Sequence, residues 1–287
     1  MIAYKRTKTI GVIVHRLDSH FTTSALNGIE SVAALCGYET IITLSQENCE
    51  IEAANARMLL KRGVDGIIAS LSAHTKGLRH FEDFAAYGVP VVYFDRVAST
   101  NNSDAVVIDN TQCGFWATEH LVEQGCRRIA IVTSSLERNV YSQRYAGFRA
   151  ALLKHDLPFT KDCLLVGDID HEGGVEAARR ILQMWPLPDG LFITNDLVAA
   201  ICVNTLKEAG VRVPEDIAVV GFNNDPVARL ITPMLTTIDY NGFEMGKTAA
   251  MRLLDLLSGK KSSTGSRMAV IGSELIVRDS SVRGPGE

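Results

Sequence analysis

The chain has 287 residues, 46% hydrophobic and 22% charged, enough for two cores of roughly 130 residues each and too apolar to remain disordered. Its 29 Lys plus Arg stand against 33 Asp plus Glu, a net charge of -4 that offers no general attraction to a nucleic-acid backbone. The six cysteines form no C-x-x-C pair, no run approaches the roughly 18 apolar residues of a membrane span, and "MIAYKRTKTIG" lacks the apolar core of a signal peptide. A reducing, cytoplasmic location is expected, with the cysteines as small hydrophobes and the sequon Asn101 to Ser103 as a polar loop.

In chain order, "TIGVIV" (9–14), "YETIITL" (38–44), "VDGIIAS" (64–70) and "VPVVYFD" (89–95) are strands of the continuous apolar type expected when both sheet faces are covered. Helices separate them. In 21–36, Phe21, Ala25, Leu26, Ile29, Val32, Ala33 and Cys36 recur at three- and four-residue steps, and Gly37 marks the stop. The alternation continues with strand "AVVIDN", helix "FWATEHLVEQG" and strand "RRIAIVTS", then helix "RYAGFRAALLKHD", strand "CLLVGD", helix "GGVEAARRILQMW" and strand "GLFITN". "DLVAAICVNTLKEAG" and "DIAVVGF" follow, and a late helix (242–259) and strand (273–279) suggest that the chain revisits both lobes. Such alternation means α/β architecture with parallel sheets and right-handed crossovers.

Parallel sheets place ligands at the carboxyl ends of their strands. The segments there are "HRLDSHF" (15–21), "LSAHT" (71–75), "DR" (95–96), "SSLERN" (134–139), "DIDHEGG" (168–174), "NDL" (195–197) and "NNDP" (223–226), all more polar than the strands feeding them. No dinucleotide, P-loop, G-x-S-x-G or H-E-x-x-H motif appears, so no enzyme, cofactor or metal is expected. His15, His20 and Asp18 share one loop without a matching ligand motif and read as ordinary loop or ligand contacts.

"PVVYFDR", "VVIDNTQCGFWATEHLVEQGCRRIAIVTSS", "QRYAGFRAAL", "TNDLVAAICVNTLKEAGVRVPEDIAVVGFNNDP" and "PMLTTID" occur in order over roughly 8–279. Together they resemble the effector-binding core of lactose-repressor (LacI) type transcription regulators. The resemblance implies two lobes of periplasmic-binding-protein type (type I), each a parallel sheet flanked by helices, joined by three crossovers. It also implies an effector held between the lobes, lobe closure as the signal, and a homodimer. The expected divisions are a linker remnant at 1–8, an N-terminal lobe of 9–126 plus 240–264, a C-terminal lobe of 127–239 plus 265–281, and a tail at 282–287. Only Met1 to Lys8 precede the first strand, so the helix-turn-helix of the family is expected to be missing, by excision or by origin, and operator DNA to be a partner only through it. A stand-alone solute-binding protein of the same fold is the alternative.

The resemblance assigns ligand binding to Arg144, three positions before the glycine of "RYAGF", whose planar fork suits paired oxygens; a surface ion pair is the competing role. Asn195 in "TND" resembles the family's bifunctional amide, and either it or Asp196 could instead cap the following helix. Asn223 stands where sugar- and purine-responsive relatives carry an aspartate, with Asp225 nearby to supply a carboxylate. Ile169 replaces an aromatic platform after "GD". Phe21, aligned through "SHF", remains as the aromatic candidate, beside His20, with a place in the core as its other reading. A sugar or sugar-like effector is expected.

Overall fold

The computed structural model describes residues 6–98, 103–259 and 267–283. Asn101 of the sequon, 1–5 of the expected linker, 260–264 of the expected first lobe and 284–287 of the expected tail lie outside them. Chain order runs β1 (Thr9–Val14), α1 (His20–Leu35), β2 (Glu39–Leu44), α2 (Cys49–Lys61), β3 (Gly66–Ala69), α3 (Arg79–Ala86), β4 (Val91–Phe94) and β5 (Asp104–Ile108). It continues with α4 (Asn110–Glu123), β6 (Ile129–Thr133), α5 (Asn139–Lys154), β7 (Leu164–Val166), α6 (His171–Leu182), β8 (Gly190–Ile193), α7 (Asp196–Glu208) and β9 (Ala218–Asn223). β10 (Thr236–Asp239), α8 (Gly242–Leu257), β11 (Met268–Ile271) and β12 (Leu275–Ile276) complete it.

Two compact units result, Met1–Ile108 with Asn241–Ile271 and Asp109–Tyr240 with Gly272–Glu287. The chain therefore passes between them three times. The first unit holds a sheet of order β11-β5-β4-β3-β1-β2, the second one of order β12-β10-β9-β8-β6-β7. Among the described residues only β12 runs antiparallel to its neighbour. Strand order reverses between β1 and β3 in one sheet and between β6 and β8 in the other, and in α/β sheets ligands bind outside the carboxyl ends at such reversals.

The core strands are apolar because helices cover both faces: Ile67, Ile68 and Ala69 of β3 and Leu191, Phe192 and Ile193 of β8 are wholly buried. β2 departs from that expectation. It is an edge strand, and Glu39 and Ile42 are exposed. Helix α1 ends where Gly37 takes φ +70° and Tyr38 N–H returns to Ala33 O at 2.9 Å, the left-handed stop that the glycine announced.

The division differs from the expected one in two places. α4 packs on α5 and on β8, β9 and β10, so the crossing falls after Ile108 and not after Cys126. An amphipathic helix joins the unit that covers its apolar face, which its own sequence does not identify. β11, in the stretch expected within the second lobe, pairs with β5 of the first unit, and "PMLTTID" contributes the strand β10.

Glycines set the helix contacts. A Cβ on Gly147 of α5 would come within 2.0 Å of Thr111 O, and one on Gly114 of α4 within 2.2 Å of Arg144 O. Both obstacles are backbone, so neither can move aside cheaply. We expect Gly147→Ala to lower the unfolding free energy by about 1–3 kcal/mol, the usual effect of overpacking, measured by urea denaturation; unchanged stability would mean that the two helices part without loss.

Candidate functional site

In the second unit the reversal between β6 and β8 brings Thr133 and Thr194 together, both buried, with Thr194 Oγ1 donating to Thr133 Oγ1 at 3.2 Å. Arg144 reaches this edge from α5 and is only 3% exposed. Its Nε donates to Asn110 Oδ1 at 2.8 Å and its Nη1 to Thr194 O at 3.0 Å. Its guanidinium carbon lies 3.5 Å from the ring centroid of Phe222, 5.3 Å from that of Tyr240 and 5.7 Å from that of Tyr141, within reach of cation–π attraction. Burial to this degree removes the surface ion pair as its role. Asn110 Nδ2, also buried, finds no acceptor among the described residues, and a buried donor without a partner is costly unless water or a ligand meets it.

Asn195 Oδ1 accepts from Val198 N–H at 3.1 Å and so caps α7. Asp196 does not cap; it is wholly buried and turned to the sheet. Its carboxylate accepts Thr237 Oγ1 at 2.7 Å and Asp225 N–H at 2.9 Å, and burial pushes its pKa up to about 7 against the help of those donors. The polar cluster at the exit of β9 is a left-handed turn, with φ 121° at Asn223 and 55° at Asn224, an arrangement that Asn tolerates better than other side-chain-bearing residues. Asn223 Nδ2 donates to Asp225 Oδ2 at 3.2 Å. Asn224 binds Asp239 Oδ1 at 2.9 Å and accepts from Arg278 Nη2 at 2.7 Å. An ionised aspartate at 223 has no donor and could not make the bond to Asp225.

In the first unit, His15, Glu47 and Arg96 stand in the segments that follow the carboxyl ends of β1, β2 and β4. Arg96 Nη1 contacts both carboxylate oxygens of Glu47, at 2.7 and 2.9 Å, and Ala73 N–H adds 2.8 Å. Burial alone would raise the Glu47 pKa, but the charge of Arg96 and the hydrogen bonds from Arg96 and Ala73 N–H outweigh it and hold the group below its usual range. Burial, then the Arg96 charge, lowers His15 to about 3, so its imidazole is neutral. His15 Nδ1 is buried without a partner among the described residues. Phe21 lies 6% exposed on α1 against Gly242 of α8, where a Cβ would come within 3.1 Å of its ring; that is a core position. His20 is exposed, and Ile169 packs on the core of the second unit.

The structure thus gathers Arg144, Asn195, Asp196, Asn223 and Asp225 around the carboxyl ends of β8 and β9, while Phe21 is buried on α1 and Ile169 packs partly buried on the core of the second unit. Asn110 and Glu47, which the sequence did not single out, complete the two edges together with Arg96 of the polar segment "DR" (95–96). Each stands just past an apolar run, as in "VVIDN" and "VVYFDR", and that position is the signal that could have found them.

The profile of the periplasmic binding protein-like domain matches residues 118–281. The chain is 30% identical over 266 residues to catabolite control protein A of Priestia megaterium, covering 92% of this chain and 79% of that one. It is 31% identical to the HTH-type transcriptional repressor PurR of Erwinia tasmaniensis, covering 97% and 81%. Among solved structures, the transcriptional regulator CelR in complex with cellobiose superposes with a TM-score of 0.87 at 28% identity, over 96% of this chain and 85% of that one.

Two outcomes test the polar network. Folded Asp196 keeps a proton that the unfolded chain releases near pH 4, so the stability it contributes is full below about pH 4 and is lost as pH rises through about 7. Urea denaturation across that window should show wild type losing ground to Asp196→Asn; a constant difference would mean that Asp196 is not protonated. Asn223→Asp sets a carboxylate against Asp225 and should destabilise by about 1–3 kcal/mol at neutral pH, with the loss shrinking toward pH 4; an unaffected midpoint at both pH values would contradict this.

Proposed function

Because this chain belongs to the lactose-repressor (LacI) family of transcription regulators, we propose that it senses a small molecule, a sugar or sugar-like effector, at the carboxyl edges of its parallel sheets. The observation that carries this reading is the buried Arg144, fixed by Asn110 and Thr194 O over the Phe222 ring, beside the unpartnered Asn110 amide. A guanidinium so held needs no reordering to meet hydroxyl or carboxylate oxygens, and preorganisation of this kind raises affinity. The rings of Tyr141 and Tyr240 beside it give a sugar face an apolar wall. The related CelR core binds cellobiose, which fits the same chemistry.

The effector acts by favouring one of two conformations of the core, through its differential affinity for them. In a regulator that carries a DNA-binding domain, that preference alters operator affinity, and the coupling is reciprocal. The working unit is a homodimer in the cytoplasm, and no reaction is catalysed. Among the described residues no helix is long and apolar enough to cross a membrane.

A calorimetric titration of mono- and disaccharides should yield saturable binding, and Arg144→Lys, which keeps the charge but loses the fork, should weaken it about ten- to hundredfold. Equal affinity in the variant would remove Arg144 from the site. Failure of every sugar, with binding of another metabolite class that still depends on Arg144, would keep the site and replace the effector class.

A further inference from the structure

At the amino ends of β3 and β4 a cavity of about 510 Å³ opens beside α2, the end of α8 and the turns 63–65 and 87–90. It lies at the opposite edge of the first sheet from His15 and Arg96. Its size suits a small organic ligand, for which pockets run from about 300 to 1,000 Å³. The floor is apolar, made by Leu60, Val64, Val89 and Leu256.

The rim is cationic. Arg57 and Lys61 project from α2 one turn apart, and Arg6 stands with them. Like charges at that spacing repel, and neither Arg57 nor Lys61 has a carboxylate partner among the described residues. One lining carboxylate, Asp65, is already engaged: it accepts from Thr7 N–H at 2.9 Å and Lys8 N–H at 3.0 Å. The Tyr87 ring, 62% exposed, adds a flat surface at the mouth. In a chain of net charge -4, a concentration of cations around an apolar hollow is the electrostatic complement of an anion with an apolar body.

We propose that this cavity is a second ligand site, specific for a flat organic anion whose apolar body rests over Leu60, Val89 and Leu256 while its carboxylate, sulfonate or phosphate is held by Arg57 and Lys61. The site is independent of the effector reading. The turn that lines it also clasps the segment leading into β1, through Thr7 Oγ1 to Gly63 O at 2.9 Å.

The probe is anilinonaphthalene sulfonate, a fluorescent aromatic anion, titrated into the whole chain. Saturable enhancement is expected, with affinity falling about tenfold or more in the double variant Arg57→Glu, Lys61→Glu, which removes charge-assisted contacts. Both side chains are exposed on α2, so the variant keeps its fold, verified by circular dichroism. The neutral analogue phenylnaphthylamine should bind much more weakly, and Arg144→Lys should bind the anion as wild type does. Equal affinity of the double variant, equal affinity for the neutral analogue, or loss of the probe in Arg144→Lys would each overturn the proposal, the last by placing the probe at the effector site.

Discussion

The close approach of α4 and α5 governs the candidate site of the second unit. Gly114 lies against the carbonyl of Arg144, and Gly147 against that of Thr111, so two helix backbones meet without intervening side chains. That contact brings Asn110, the first residue of α4, to the Nε of Arg144. With methyl groups at either glycine the helices would stand further apart, and a hydrogen bond of 2.8 Å does not survive a displacement of an ångström or more. Backbone packing, rather than the arginine's own conformational preference, thus aims the guanidinium at Thr194 O and Phe222.

A second layer of order lies beneath. Asp196, wholly buried, ties the start of α7 to the turn after β9 through Asp225 N–H and to β10 through Thr237. Gly221 leaves room for that carboxylate, since a Cβ there would come within 2.1 Å of Asp196 Oδ1. A buried carboxyl in such surroundings lowers stability when ionised and holds a loop in one geometry when its bonds are complete. The left-handed residues Asn223 and Asn224 are held in that geometry, with Asn224 spanning Asp239 and Arg278.

The two sheets share one strand order, and both concentrate polar groups where that order reverses. Their chemistry differs. The first edge carries the paired Arg96 and Glu47 next to a neutral His15, whereas the second carries an arginine set among aromatic rings. A ligand meeting the second edge is offered a fixed cation; one meeting the first is offered charges already matched to each other, which orient hydrogen bonds without adding net charge.

The sequence by itself determined the α/β alternation, the parallel sheets, the family and the stop at Gly37, and marked the region of the candidate site, because each rests on a local period, a local turn preference or a motif read in order. Asn195 as a possible cap was also legible there, and Arg144, singled out as a ligand candidate, lies in the candidate site. Tertiary structure alone decided the rest: that α4 belongs with α5 and not with the strands before it, that β2 is an edge, that Phe21 serves the core, and that the Asn223 amide is committed to Asp225. These outcomes depend on which distant surfaces meet. A helical or strand period shows that a face is apolar, but the partner that covers it, and the buried group left facing a given amide, are set by packing between residues tens of positions apart.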